Sequence, residues 1–596
     1  MKNQTTDHTT VSVLAASTQP AAEPAGGGPA VPLTVPANRV AELALVSGAI
    51  YQNPFMEVEL DAIVTPPDGK PLRVPAFWAG GNRWCFRYAS ATPGVHTWRS
   101  ECSDTSNAAL HGIAGKIEVT SATGDNPLYR HGPLRVAKDK RYFEHADGTP
   151  FFWLGDTWWK GLCKRLTWQG FQELTADRKS KGFTLVQIVC GPYPYEGMFE
   201  PRWENEGGMP YETKDFSVVN PEYFEYADQR IQYLVEQGIV PAIVGGWGRE
   251  QTGGMSTISL VGADGYKRHW RHLVARYGAY PAVWIAGGEA SDRQGPWGEV
   301  LKHLKEVDPY RHLLTYHAPG NPRQLIRDNV VCDFDMVSLG HESIVTAEQT
   351  LEIVRSCLAQ APTRPALSGE ACYEGHMQNN FQDLQRHMFW SFMLSGAAGH
   401  TYGAAGIWHS GVDGDPGITP VYDWTTWQEG MNYPGSTQIG LGKKLLEKYP
   451  WSRFETHPEW AEAGCYAAGI PGEVCFIYLP RRRPYDWSGP VVRNLVPGCA
   501  WQIYYFDPAS GRKFEQGTCV FAGPEQPPFV GHMQPNLVPD RCDATDAASC
   551  NDYGTLSQCE QGRLAGGQGM LPVVEAFQAP VPTPQDWVLV LERVKQ

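Results

Sequence analysis

The sequence predicts an α/β protein: a (β/α)₈ TIM barrel flanked by N-terminal and C-terminal antiparallel β-sandwich domains. Three observations carry this. Between residues 126 and 458, short apolar runs alternate with amphipathic stretches, which argues for parallel strands joined by helical crossovers. Eight such pairs can be laid out, the number that closes a barrel. On either side, at 38–125 and 459–596, runs of period two are broken by Pro, Gly or Asp, the mark of antiparallel sheets.

Residues 1–37 are rich in Ala, Pro and Gly and read as a flexible leader. Their one apolar run, VSVLAA, is shorter than a secretory core requires, so a cytoplasmic location is expected, with secretion or a periplasmic location as the alternative for a trimmed N-terminus. The first sandwich reads from MEVELDAIV through LRVPAFWAG, GNRWCFRYAS and TPGVHTWRSEC to AGKIEVTSA, and nothing in it looks catalytic.

The barrel strands read FFWLGDTWW (151–159), TLVQIVCG (184–191), IVPAIVGGWG (239–248), AVWIAGGE (282–289), LLTYHAPG (313–320), MVSLGHE (336–342), RPALSGE (364–370) and GAAGHTYG (396–403). Helical segments follow them, among them PEYFEYADQRIQYLVEQG, which places Phe224, Ala227, Ile231 and Leu234 on one stripe. The last β region contains GCYAAGI, EVCFIYL, WQIYYFDP, CVFAG and DWVLVLERV, interrupted by a long Gly/Pro-rich loop from Pro524 to Leu571. Cys542, Cys550 and Cys559 in that loop lack zinc-ligand spacing; a local disulfide and free thiols both remain open.

Composition narrows the function. With 50 Lys+Arg against 64 Asp+Glu the net charge is -14, and no long basic run offers phosphates a surface, so nucleic acid is not an expected partner. No stretch of 18 apolar residues occurs, so no membrane helix is expected either. The 21 Trp and 26 Tyr supply flat apolar faces with a polar handle, which suits sugars.

In a barrel the active site lies at the C-terminal ends of the strands. There the sequence offers Asp156, Tyr193, Trp247, Glu289, His317, His341, Glu370 and Tyr402. Glu289 and Glu370 are each delivered by an apolar strand through small residues, at the fourth and seventh strand ends, and should face one another across the mouth. Two opposed carboxylates are what glycosidic cleavage needs: one donates a proton to the leaving oxygen, and the other attacks C1 or activates water. Either Glu alone could equally be an acid starting a helix. Asp156 fits an N-cap or a ligand for sugar hydroxyls, and the two histidines fit structural or substrate-binding roles. Tyr373, three residues past Glu370, could steer that carboxylate, while Trp158, Trp159, Trp247 and Trp408 sit where stacking platforms would. There is no HExxH, GxSxG, P-loop or convincing GxGxxG, so neither a metal nor a cofactor is expected.

At the segments YFEHADGTPFFWLGDTWW, KGFTLVQIV, VWIAGGE and PALSGEACYEG, over roughly residues 130–450, the chain resembles the apiosidase-like bacterial glycoside hydrolases. That resemblance implies a (β/α)₈ fold related to the large retaining clan, with Glu289 at the acid/base position, Glu370 at the nucleophile position and Asp156 as a substrate contact in the GDT motif. It also implies a β domain before the barrel and a small one after it. Some relatives have Asp where Glu289 stands, and the wider clan commonly has Asn where Gly288 stands, so the 2-hydroxyl contact must come from elsewhere. The expected activity is retaining, exo-acting or short-oligosaccharide hydrolysis, on a furanosidic or polysaccharide-derived sugar. An inverting glycosidase and a non-catalytic carbohydrate-binding barrel are the alternatives.

Overall fold

The computed structural model describes residues 33–594 apart from 68, 192, 194–199, 249–255, 342, 416–423, 482–486, 522–572 and 575. Most of the expected leader, and the loop carrying Cys542, Cys550 and Cys559, thus lie outside the described residues. Leu33–Pro36, within the stretch expected as leader, is already a strand.

That strand pairs in parallel with Ala114–Thr120 and opens a five-stranded sheet continued by Gly94–Cys102, Leu60–Thr65 and Leu72–Pro75. A second sheet, from Ala41–Val46, Arg83–Tyr88 and Phe77–Trp78, completes the sandwich. Leu60, Ala62 and Val64, alternate residues of one strand, share its core with Trp84, Phe86 and Trp98. The second sheet is buried on both faces, because Phe77 and Cys85 turn the other way and pack on Ala275 of the barrel. A charge cluster locks this contact: Asp228 accepts from Arg87 at 2.6 Å and from Arg276 at 2.8 Å.

The barrel contains all eight expected strands: β1 (Trp153–Trp158), β2 (Leu185–Val189), β3 (Val240–Val244), β4 (Val283–Ile285), β5 (Leu314–Thr315 and His317–Ala318), β6 (Asp335–Gly340), β7 (Ala366–Ala371) and β8 (Gly399–Thr401). Every pairing is parallel, and the ring closes within β5, whose first half pairs with β4 and second half with β6. The covering helices are α1 (Trp168–Ser180), α2 (Pro221–Glu236), α3 (Thr257–Tyr277), α4 (Trp297–Val307), the short α5 (Pro322–Leu325), α6 (Ile344–Leu358), α7 (Gln382–Met393) and α8 (Pro434–Leu446). Side chains of Thr167, Asn220, Ser256 and Ser343 cap the N-termini of α1, α2, α3 and α6. The stripe expected on α2 is the buried one.

The C-terminal region forms one seven-stranded sheet, largely antiparallel, among the described residues. Its strands alternate between two apolar environments. Phe476, Tyr478, Val588 and Val590 pack on the barrel core, whereas Cys475, Ile477, Leu589 and Leu591 face a second cluster with Trp501 and Trp587. This double burial explains the unbroken apolar runs VCFIYL and WVLVL.

Burial would raise the Asp228 carboxyl, but the Arg276 and Arg87 guanidiniums hold it at about 2 against an ordinary 3.8. The stability it contributes is therefore present above about pH 4 and lost as pH falls toward 2. Asp228→Asn is expected to cost about 3–5 kcal/mol at pH 7 and to flatten the pH dependence of unfolding over that window, as measured by denaturation at stepped pH.

Candidate active site

Glu370 ends β7 in a bed of donors. Opposite it the pairing slips: Val337 faces Ser368 while Ser338 faces Glu370, leaving Gly369 as the extra residue of a bulge. Only glycine fits there, since a Cβ would lie 2.2 Å from Met336 Cγ. Gln187, reaching inward from β2, donates to the Gly369 carbonyl at 2.7 Å and fixes the bulge across the lumen.

The Glu370 side chain, 5% exposed, accepts at Oε1 from Trp159 Nε1 at 3.2 Å and from the Tyr373 hydroxyl. His317 Nε2 stands 3.0 Å from Oε2, and His341 Nε2 3.4 Å from Oε1. Both imidazoles are oriented alike. His317 Nδ1 accepts from the Glu289 amide at 3.4 Å and His341 Nδ1 from the Tyr373 amide at 3.3 Å, so in each the proton belongs on the Nε2 that faces Glu370. Burial would raise the Glu370 carboxyl; His317 and then His341 outweigh it and hold the group well below the usual carboxylate range. The result is a dry carboxylate kept as an anion.

Glu289, half-buried, follows β4 through two glycines that make room for rings. A Cβ on Gly287 would lie 2.4 Å from Trp297, and one on Gly288 would lie 1.9 Å from Trp247. Gly288 is thus the floor beneath Trp247, which explains why no larger residue stands before Glu289. Glu289 itself has φ 44°, a left-handed conformation unusual for this residue, and is pinned by Gln294 donating to its carbonyl at 2.9 Å. The fourth and seventh strand ends therefore meet at one imidazole: His317 touches the Glu289 amide on one edge and approaches the Glu370 carboxylate with the other.

Rings wall this meeting point. Trp159 and Trp247 lie 5.1 Å apart and within 5.3 and 5.1 Å of His317. Tyr373 packs on His341 at 4.1 Å, and Trp408 lies 6.3 Å from Tyr373. Of the residues singled out in the sequence, Trp247, His317, His341, Tyr373 and Trp408 thus lie in one cluster with Glu370.

Four expected contacts do not face this cluster. Asp156 is fully buried and points to the helix layer, where Arg178 of α1 donates at 2.6 Å and Trp158 Nε1 at 2.7 Å. Trp158 shares that outward face and packs edge-on against Phe171 at 5.4 Å. The reason is the two-residue period of a strand, which sends Asp156 and Trp158 outward and Trp159 inward. Tyr402 turns outward too, its hydroxyl donating to Glu374 at 2.5 Å. Tyr193 is buried beside Trp203 and Tyr223.

Sequence reasoning did not select Gln187, His376 or Glu374. His376 lies 5.0 Å from His341 and 6.0 Å from Trp408. Burial raises the Glu374 carboxyl to about 7, with Tyr402 and the Gly435 amide opposing. Such a value marks a candidate proton donor. Glu374 is nonetheless fully buried, with Oε2 committed to Tyr402 and Oε1 to the Gly435 amide at 3.0 Å, so it has no route to a substrate. Among the described residues no group of His, Cys, Asp and Glu is arranged to hold a metal.

The model of the apiosidase-like catalytic domain matches residues 137–453, more than half of the chain. The chain belongs to the apiosidase-like family. It is a glycosidase acting on a carbohydrate substrate. A domain of unknown function, DUF5060, matches residues 34–103. A solved glycoside hydrolase is 18% identical, covering 79% of this chain and 98% of its own, with a TM-score of 0.59. A chain from Bacteroides vulgatus ATCC 8482, proposed to be a glycoside hydrolase, is 16% identical over 94% of this chain and 100% of its own, at a TM-score of 0.65. A family 5 glycoside hydrolase from the same organism is 18% identical over 79% of this chain and 95% of its own, at 0.58. At these identities the likeness is one of fold. A comparison with curated proteins gives no match.

Gly288→Ala in this apiosidase-like glycosidase must displace Trp247. The variant is expected to stay folded by far-ultraviolet circular dichroism, to change its near-ultraviolet spectrum, and to lose most of its activity.

Proposed function

We propose that this apiosidase-like glycosidase is a retaining enzyme, with Glu370 as nucleophile and Glu289 as proton donor and then base. In the first step a Glu370 oxygen attacks the anomeric carbon while the bond to the leaving oxygen breaks, and Glu289 gives that oxygen its proton. Water then attacks the glycosyl-enzyme ester, Glu289 takes the water's proton, and Glu370 leaves as carboxylate.

The observation that carries this reading is the convergence of His317, His341, Trp159 and Tyr373 on the Glu370 carboxylate. A carboxylate held well below its usual range by His317 and His341 is a poor base for activating water, as inversion would require, but is a competent nucleophile and leaving group. The burial of Trp159, Trp247 and Trp408 around it favours an enclosed pocket for a terminal sugar over an open cleft for a long chain. Action on chain ends or short glycosides, furanosides among them, fits that enclosure.

A panel of aryl glycosides including furanosides identifies the sugar, and proton NMR of the first anomer released is expected to show retention. Glu370→Ala and Glu289→Ala should each lose on the order of 10³-fold or more in turnover. Azide should restore glycosyl azide formation in both, with inverted configuration for Glu370→Ala and retained configuration for Glu289→Ala. Release of the opposite anomer by the wild-type enzyme, or unchanged turnover in both alanine variants, would overturn the assignment. So would binding of glycans without reducing-end release.

A further inference from the structure

Tyr373, whose hydroxyl donates to Glu370, belongs to the segment after β7, and that segment is braced from behind. On one side Gln385 of α7 donates to the Cys372 carbonyl at 2.7 Å and to the Asn380 carbonyl at 2.9 Å. On the other side Glu374 ties three pieces of the barrel together. Its amide donates to the Gly403 carbonyl at 2.9 Å and its carbonyl accepts from the Ala405 amide at 2.9 Å, joining the segment to the chain after β8. Its carboxylate takes the Tyr402 hydroxyl at 2.5 Å and, at 3.0 Å, the Gly435 amide in the first turn of α8.

The Tyr373 ring depends on this joint. It lies flat over Gly403, where a Cβ would be 2.2 Å from Tyr373 Cδ1, and Gly403 is the residue that Glu374 holds. Gly375 carries the next ring in the same way, with a Cβ there falling 2.5 Å from Tyr433. The phenol that donates to Glu370 thus stands on a platform held by the backbone of Glu374, whose carboxylate in turn ties that backbone to Tyr402 and the first turn of α8. Arg178 extends the brace: its guanidinium lies 5.6 Å from the Tyr402 ring centre and pairs with Asp156 at 2.6 Å.

We propose that Glu374 is a positioning residue for the nucleophile, holding the Tyr373 hydroxyl on Glu370 by clamping the segment after β7 to Tyr402, Gly403 and the N-terminus of α8. This inference rests on Glu370 being the nucleophile. Removing the carboxylate leaves the Tyr402 hydroxyl and the Gly435 amide without their acceptor in a dry interior, and the segment relaxes to find others. Glu370 then loses a donor to its charged form, which makes that form less favourable. Arg178 and Lys181 are the other charged groups that bear on Glu374, and neither belongs to the segment it holds.

The test reads Glu370 directly, without substrate: ¹³C NMR of glutamate-Cδ-labelled protein, with the Glu370 resonance assigned by its loss in Glu370→Gln. In Glu374→Ala the titration midpoint of Glu370 is expected to rise by on the order of one pH unit, in the same direction as in Tyr373→Phe. The double variant should rise no further than Tyr373→Phe alone, because both act through one hydrogen bond. Glu374→Gln, which keeps an oxygen for the Gly435 amide, should recover most of the wild-type midpoint. If Glu374→Ala does not fold, Tyr402→Phe serves instead and is expected to shift the midpoint upward by less. An unmoved midpoint in the folded variant, or additive shifts in the double variant, would overturn the proposal. A shifted midpoint with inversion at the anomeric carbon would instead retain the clamp and reject the nucleophile reading.

Discussion

One electrostatic constraint governs the site: a carboxylate must stay ionised where almost no water reaches it. Desolvation works against the anion, and the protein answers with directed donors, namely two imidazole edges, an indole and a phenol. Each donor must itself be aimed, and that requirement propagates outward. The imidazoles are aimed by backbone amides at their Nδ1 atoms, so the two neighbouring strand ends fix the proton positions. The indole is aimed by its place just past the end of β1, and the phenol by the clamped segment after β7.

Close packing of glycine against aromatic rings turns this electrostatic demand into a steric one. Gly287, Gly288, Gly369 and Gly403 each sit where a methyl group would collide with a side chain at 2.4 Å or less. Gly287, Gly288 and Gly403 let backbone and ring approach closely, and Gly369 does the same for Met336, which makes the walls of the mouth rigid. The flanking sheets supply rigidity of another kind. The N-terminal sheet is bolted to α2 and α3 through Asp228, and the C-terminal sheet to α7 through Arg386 and Asp586 at 2.6 Å.

Much of this was legible in the sequence. All eight barrel strands fall within their expected segments to within one residue at either end, because short apolar runs alternating with amphipathic stretches have few other solutions. Glu289, Glu370 and the histidines between them stand out as polar residues delivered by apolar strands. What the sequence hid was facing. A strand buried on both sides carries no hydrophobic alternation, so LGDTWW does not announce that Asp156 and Trp158 turn outward while Trp159 turns in. Glu374 and Gln187 were hidden for a different reason. Their partners, Gly435 and Gly369, lie 61 and 182 residues away, and no local pattern marks a side chain that braces backbone at such a distance.

The claim on which the rest hangs is that Glu370 bonds covalently to the sugar while Glu289 handles only protons. The most direct measurement uses Glu289→Gln with an activated aryl glycoside, whose leaving group needs no proton, so that glycosylation proceeds and hydrolysis stalls. Rapid quenching, proteolysis and mass spectrometry should then find the glycosyl mass on the peptide carrying Glu370. A glycosyl mass on another residue, or aryl alcohol release with no adduct at any time point, would contradict the account.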